Sequence, residues 1–523
     1  MMINSRTLKS LLNLFFAFVL LITLSATVKP VSAGTITVTN TNNTGPGSLR
    51  QALLDANSGD TIEFDSSLSG HTITVEGDPL FVQNNVTIDG TALAQKIKIS
   101  GDDKTRVFGV FEGVSVTMKN IEIINGYIGG FLHKDGAGIY LQKNANAYLY
   151  DCNFNFNRAK GNGGAIAVGE NGRVEAYDCI FYKNKAQDED YSSGGAIYNL
   201  GYLEVNDSYF TANHAVHGGA IKNSDAATLI SSNNSYYQNS ADQEGGVIYN
   251  LGDLNVDRDT FWYNSALYGG GINNEYILTV ELSQFLHNSG GIQGGAIKNV
   301  GQVEISDSTF NNNDAHFGGA ILNWNSMEIN TSTFYGNSAF YGGAMRNWGE
   351  YGFLLIKNST ISGNQAEQGG GIQNLAGGNF ASYYNTIAFN KATDKGAGVL
   401  NGVDSTLVYS STLIARSIGD DCVNSGEIYY QSHNFVGDGS CDAEFSGNPK
   451  IGPLASNNGP TQTHALLPGS PAIDAAYNIN CPATDQRGIA RPYGAGCDIG
   501  AFEFNPIYPY FDWLKNFIPV FSR

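Results

Sequence analysis

The chain has 523 residues with 48 acidic against 29 basic side chains, a formal charge of -19, which excludes a nucleic-acid partner because phosphate binding needs clustered Lys and Arg. Only 15% of residues are charged, Gly supplies 64 and Asn 56, so the chain is rich in turns and poor in long helices. A hydrophobic content of 42% with 28 Tyr and 28 Phe excludes intrinsic disorder, and so much Gly with only 13 Pro excludes collagen.

Arg6 and Lys9 precede an apolar run from Leu11 to Leu24 and then Val31-Ser32-Ala33, small residues where a signal peptidase would cut. Residues 1–33 therefore read as a secretory signal: the apolar run is shorter than the ~20 residues that span a bilayer. No later segment is apolar and long enough to cross a membrane as a helix. The six cysteines, Cys152, Cys179, Cys422, Cys441, Cys481 and Cys497, all follow the signal, and the sequence-near pairs Cys422/Cys441 and Cys481/Cys497 are the expected disulfides of an exported chain. Cys152 and Cys179 either stack as thiols or bond across coils. No cysteine sits in a closely spaced metal-binding pair, so neither zinc nor another cofactor is expected.

Residues 34–135 read as a cap and irregular first coils. Ser48 is a fitting N-cap with Gln51 three residues on, Leu49, Ala52, Leu53 and Ala56 fall on one helical face, and Gly59 follows the end. A solenoid needs such a lid over its open core. Short strands around Ile62–Phe64, Thr72–Val75, Val86–Ile88 and Ile97–Ile99 begin the coils.

Residues 136–447 carry a repeat. Gly-Gly-Ala/Gly/Val motifs, or close variants, precede Ile139, Ile166, Ile197, Ile221, Ile248, Ile272, Ile297, Ile321, Met345, Ile372 and Val399, with a mean spacing of 26 over ten steps. In phase with it runs Phe-x-x-Asn, from Phe154/Asn157 through Phe181/Asn184 and Phe210/Asn213 to Phe334/Asn337, with Ile361/Asn364 and Ile387/Asn390 as variants. A fixed period of 20 to 50 residues means a solenoid. Between the motifs apolar and polar residues alternate, as in Leu203-Glu204-Val205, so each repeat holds several short strands. The fold class is all-β: a right-handed parallel β-helix with an N-terminal capping helix. Equivalent residues then stack, which predicts an apolar interior column and two Asn columns, one ending the Phe motif and one two places after the Ile, their amides bonding from coil to coil. About 14 coils give a rod of roughly 65 Å at ~4.8 Å per coil.

The paired GGAI and FxxN motifs resemble the passenger region of chlamydial polymorphic membrane proteins and related β-helix surface proteins. That resemblance implies an exported, adhesive, non-enzymatic surface protein of the pectin lyase-like fold. Those relatives end in an outer-membrane β-barrel, and no set of ten-residue alternating strands follows the repeats here, so autotransport is not expected. Residues 448–504, with Asn448-Pro449-Lys450-Ile451-Gly452-Pro453-Leu454, Leu467-Pro468-Gly469-Ser470-Pro471-Ala472-Ile473-Asp474, Asp485-Gln486-Arg487-Gly488 and Asp498-Ile499-Gly500-Ala501-Phe502-Glu503, are similar to a choice-of-anchor Q domain, a terminal module of bacterial surface β-helix proteins. The opening Ile36-Thr37-Val38-Thr39 to Gly47-Ser48-Leu49-Arg50-Gln51-Ala52 is similar to the first coil of the same proteins. The tail, 505–523, crowds Tyr508, Tyr510, Phe511, Trp513, Phe517 and Phe521 and is expected to pack over the last coil or stay disordered.

For chemistry, the best candidate is a column of carboxylates. Three places before each Phe stand Asp151, Asp178 and Asp207, and six places before, Glu175 and Glu204. Stacked carboxylates repel, so Ca²⁺ would bridge them, and a glycosidase needs carboxylates of this kind. The column continues as Asn233, Arg258, Leu282, Asp307, Thr331 and Asn358, the signature of a solvent-facing turn, and no Arg or Lys recurs beside the trio to serve a lyase as base. His217 precedes Gly-Gly where other coils have Tyr268, Phe317 and Tyr341, so it reads as part of an aromatic stack. His214 and His287 read as turn residues with no Ser or Cys nucleophile beside them, and no triad is expected. The expectation is a rigid, non-catalytic rod, secreted or held at a bacterial cell surface at the outer membrane, whose partner is an extracellular polysaccharide or a neighbouring cell surface. The alternatives are a polysaccharide lyase or hydrolase using the Asp151/Asp178/Asp207 strip, and a purely structural layer protein that self-associates without any sugar.

Overall fold

The structure, a computed structural model, describes residues 33–130, 134–187 and 191–506, so the expected signal and the aromatic tail beyond Pro506 lie outside the described residues. The described chain is a right-handed parallel β-helix, the hand that parallel strand crossovers adopt, and its coils have up to four sides. One coil shows the construction: strand Tyr202–Asn206, a single left-handed residue Asp207, strand Tyr209–Thr211, left-handed Ala212, strand His214–His217, Gly218-Gly219, and strand Ile221–Asn223. Stacked coil on coil, these become parallel sheets of 16, 15, 11 and 14 strands on the first to fourth sides. Sixteen strands give a rod of roughly 70 Å at ~4.8 Å per strand, slightly longer than the repeat alone predicts because the irregular first coils are already in register.

Strict register makes the columns. On the second side Phe181, Phe210, Tyr236 and Phe261 pair in succession, with ring centroids 4.5 to 5.0 Å apart and every ring buried. On the fourth side Ile197, Ile221, Ile248 and Ile272 do the same. The Gly pair between the third and fourth sides has two separate causes. Gly218 has φ 63°, which favours glycine, and a Cβ on Gly219 would lie 2.2 Å from Gly246 O of the next coil.

Both Asn columns are continuous hydrogen-bonded files. In the first, Asn213 Nδ2 donates to Asn239 Oδ1 (2.9 Å) and to Phe181 O (2.9 Å), and Asn239 Oδ1 also accepts from Asn213 N (3.0 Å). In the second, Asn199 Nδ2 donates to Asn223 Oδ1 (2.9 Å), and the pattern repeats to Asn424. These buried amides satisfy corner backbone that no strand reaches.

Helix α1, Leu49–Asp55, caps the first coil with Leu49, Ala52 and Leu53 buried, and Ser48 Oγ accepts from Gln51 N. The Gln51 side chain donates to Asp55 instead of returning to the cap, so the capping box is only half formed. Disulfides join Cys422 to Cys441 and Cys481 to Cys497, while Cys152 and Cys179 are buried thiols in adjacent coils.

Beyond Val436 the chain turns back and runs along the outside of the second side. Ile451–Ala455 and Thr463–Leu466 form an antiparallel pair there. Thr333 Oγ1 donates to Gln462 O (2.6 Å), Asn358 Nδ2 to Thr484 O (3.0 Å), Ala501 N to Thr386 Oγ1 (3.0 Å) and Gly500 N to Ser411 O (2.9 Å). The outward residues under this cover are small or apolar and buried: Thr333, Thr360, Ser362, Thr386, Ala388 and Leu413. Within the segment Arg487 pairs with Asp485 (2.6 Å) and Arg491 with Glu503 (3.3 Å), all four side chains buried. Among the described residues no helix is long and apolar enough to cross a membrane.

Candidate functional site

Asp151, Asp178 and Asp207 occupy the corner between the first and second sides, each left-handed with φ of 51°, 56° and 52°. Asp and Asn adopt this conformation at little cost, and the same φ persists where the column becomes Arg258 and Leu282. The corner is thus a backbone requirement that carboxylates happen to fill. Asp151 is drawn to Lys96 (Oδ1 2.5 Å), a base that repeat-frame reasoning missed because Lys96 belongs to an irregular first coil. Asp207 accepts from Asn233 Nδ2, and Asp178 is exposed.

Glu175 and Glu204 pair in register on the first side, inside a closed network. Arg173 Nε donates to Glu175 (2.5 Å), Tyr202 OH to Glu204 (2.7 Å), Asn206 Nδ2 to Glu204 (3.1 Å), and Tyr177 OH lies between the two carboxylates at 3.3 and 3.1 Å. Burial alone would raise Glu204, but those donors hold it below the ordinary carboxylate range, and burial followed by the two carboxylates pushes the Tyr177 phenol up. A carboxylate held ionised by three donors lacks the proton a general acid must give. Among the described residues no three His, Cys, Asp or Glu side chains are close enough to hold a metal ion.

The histidines depart from expectation. His217 does not stack within its column: its register partner is Glu244, Nδ1 lies 2.5 Å from Glu244 Oε2, and its ring meets an aromatic neighbour only at a tilt, Tyr249 at 5.8 Å. Only Phe317 and Tyr341 of that column stack, at 5.7 Å. His214 lies in a strand, and the next coil brings Ser240 Oγ to its Nδ1 (3.0 Å) and Asp242 Oδ2 to its Nε2 (3.5 Å). A hydroxyl therefore does accompany it, contrary to the sequence reading, because the partner is one coil away. Burial lowers the His214 imidazole against the pull of Asp242, which weakens it as a proton acceptor. An acyl transfer also needs free N–H donors for the oxyanion, and in the flat sheet Ser240 N is already bonded to Asn213 O (3.0 Å).

Sequence reasoning also missed a file of cations and rings between the third and fourth sides. Lys222 Nζ lies 3.1 Å from the centroid of Tyr249, and Arg346 lies over Phe317 and Trp348. Burial pushes the Lys222 ammonium down to about 7 against the pull of Asp225 and Glu244. The middle residue of the Ile-x-Asn strand alternates between Tyr and cation, Tyr198, Lys222, Tyr249 and later Lys298, which is the signal in the sequence.

Two features face outward. Along the second side and its far corner, rings of successive coils approach one another: Tyr237 and Trp262 at 4.7 Å, Tyr263 and His287 stacked at 5.0 Å, Phe156 and Tyr182 at 5.3 Å. Trp262 is 38% exposed, Tyr263 50% and Tyr209 57%. Farther along, the returning C-terminal segment overhangs the rod and leaves a cavity of about 390 Å³ lined by Asn330, Lys357, Asn358, Tyr383, Tyr384 and Pro482.

Residues 178–200, most of one repeat, from Asp178 through Phe181, Asn184 and Gly194-Gly195-Ala196-Ile197, match the Chlamydia polymorphic membrane protein repeat. No curated protein matches the chain. Among solved structures, pectate lyase Pel9A aligns at 12% identity over 91% of this chain and 98% of its own, with a TM-score of 0.24. The catalytic unit of a thermostable GH87 alpha-1,3-glucanase from Streptomyces thermodiastaticus strain HF3-3 aligns at 12% identity, 77% of this chain and 70% of its own, also with a TM-score of 0.24.

Proposed function

We propose that the chain is an exported bacterial surface rod that binds polysaccharide without cleaving it. The observation that carries this reading is the open file of rings on the second side and its far corner, where Tyr209, Trp262 and Tyr263 are exposed with Tyr237 half-buried beside them, whereas from Thr333 onward the same face is covered by the returning segment. Exposed apolar patches of this kind mark interaction sites, and Tyr and Trp present an apolar face with a polar edge, the combination a sugar ring matches. The match of one repeat to a surface-protein repeat supports placement outside the cell. The C-terminal segment, similar to a choice-of-anchor module, then serves attachment or stiffening at the far end of the rod.

Affinity electrophoresis of the chain from Gly34 through gels containing neutral and acidic polysaccharides, with and without Ca²⁺, tests the proposal. Retardation should be lost in Trp262→Ala/Tyr263→Ala while the circular dichroism spectrum stays the same. Equal retardation of that variant, or no retardation of the parent by any polysaccharide, would refute it.

A further inference from the structure

We propose that the cavity beneath the C-terminal overhang is a binding site for one neutral pyranose unit of a glycan. The inference rests on the polysaccharide-binding reading and assigns a second, more selective subsite some coils away from the open rings. Its volume lies near the small end for ligand pockets, which form preferentially where two structural units meet. Here the units are the first-side strands, which supply Asn330, Lys357 and Tyr383 in one register column, the corner residues Asn358 and Tyr384, and Pro482 of the returning segment.

Each wall has its own chemistry. Tyr384 is fixed: its hydroxyl donates to Tyr477 O (2.6 Å) and Arg491 lies 5.1 Å from its ring centroid. The half-buried Tyr383 has no such tether among the described contacts and offers a ring for the C–H face of a sugar. Lys357 Nζ and Asn330 Nδ2 both donate to Glu328 Oε1, at 2.9 and 3.2 Å, which leaves further ammonium protons and the Asn330 carbonyl free to meet hydroxyls.

Charge chooses the ligand class. Lys357, the one charged residue of the lining, is already paired with Glu328, so the cavity offers an ionised sugar no free counter-charge, and a neutral ring needs none. Asn358 on the same wall is nine-tenths buried, with Nδ2 committed to Thr484 O and Oδ1 closed off from solvent, so it shapes the floor of the cavity and leaves the hydroxyl contacts to Lys357 and Asn330.

The test is titration of the chain from Gly34 with methyl glycosides of glucose, galactose, mannose and N-acetylglucosamine, and with glucuronate, by saturation-transfer NMR and calorimetry. At least one neutral glycoside should bind with a Kd near or below millimolar, and Tyr383→Ala should weaken it about tenfold, Tyr383→Phe should restore it because the ring is kept, and Tyr276→Ala, at an exposed ring far along the chain, should leave it within about twofold. Absence of binding by every neutral glycoside means that the cavity holds water only and overturns the proposal, as do tighter binding of glucuronate or equal affinity in Tyr383→Ala. Persistent gel retardation without glycoside binding would sink this subsite alone. Loss of both in the parent chain would sink the polysaccharide reading with it.

Discussion

Asn288, in the middle of the first amide file, is the sharpest test of what holds the coils together. It is fully buried and makes four bonds through its side chain: Nδ2 donates to Phe261 O (2.8 Å) and Asn313 Oδ1 (3.1 Å), and Oδ1 accepts from Asn264 N (3.1 Å) and Asn264 Nδ2 (2.9 Å). In Asn288→Ala, Asn313 Oδ1 keeps the Asn288 backbone N–H (2.9 Å). Asn264 N and one proton of Asn264 Nδ2 are stranded in the interior, while Phe261 O loses one of its donors. At about 1 to 3 kcal/mol for each buried unsatisfied group, the cost is about 2 to 6 kcal/mol. Because a solenoid's stability is a sum of nearest-neighbour terms, the damage should be local: the urea midpoint falls, and hydrogen exchange accelerates first in the coils containing Phe261 and Phe310. A cost below about 1 kcal/mol, or uniform acceleration along the rod, would mean that the amide file follows the packing instead of enforcing it.

Three further outcomes are expected. Asp259 is fully buried beside Ser231 and Asn234, and burial raises its carboxyl from 3.8 to about 7. The unfolded chain ionises near pH 4 while the folded one keeps the proton, so stability should fall as pH rises from about 4 to 7, by up to about 4 kcal/mol; Asp259→Asn should flatten that slope in pH-dependent urea unfolding, and an unchanged slope would rule Asp259 out as its source. Asp178→Ala and Asp207→Ala should leave gel retardation intact, with no unsaturated or reducing ends released by parent or variant; product release by the parent that vanishes in Asp178→Ala would make the corner column an active site. Gln486 Nε2 donates to Thr333 Oγ1 and Thr461 Oγ1 (both 2.9 Å) and its Oε1 accepts from Thr360 Oγ1 (2.6 Å), so Gln486→Ala should expose the 448–504 segment to limited proteolysis while the repeats stay protected, and equal protection of both would show that this side chain does not dock it.

What the sequence made legible was whatever recurs. Equal spacing of Phe, Asn and Ile reveals the coil, the columns and the amide files because register in a parallel stack converts sequence period into contact. Pairings that cross coils without recurring were hidden: Lys96 to Asp151, His214 to Ser240 and Asp242, His217 to Glu244. Column membership fixes height along the axis but not which way a long side chain leans. The return of the C-terminal segment left a trace that went unread. The outward column that runs Trp262, Leu286, Asn311, Tyr335 turns to the small, buried Ser362 and Ala388, as it must where water is replaced by protein. The cavity at that seam has no local signature, since its walls come from residues up to about 150 positions apart in the chain.

The amide files also give the rod an electrical direction. In parallel strands the backbone bonds alternate, Asp178 N reaching forward to Asn206 O and Ile180 N back to Cys152 O, so their dipoles largely cancel along the axis. The asparagines do not alternate. From Asn157 to Asn390 and from Asn199 to Asn424 every side-chain oxygen within the files faces the earlier coil and one N–H faces the later one, while in the first file the second N–H returns to a carbonyl of the earlier coil. Two uncancelled rows of aligned amides polarise one another head to tail, leaving the helix-capped end of the rod relatively negative and the opposite end relatively positive. Two such rods meeting end to end are therefore favoured in one order and opposed in the reverse, a polarity that belongs to the interior and survives any rearrangement of surface charge.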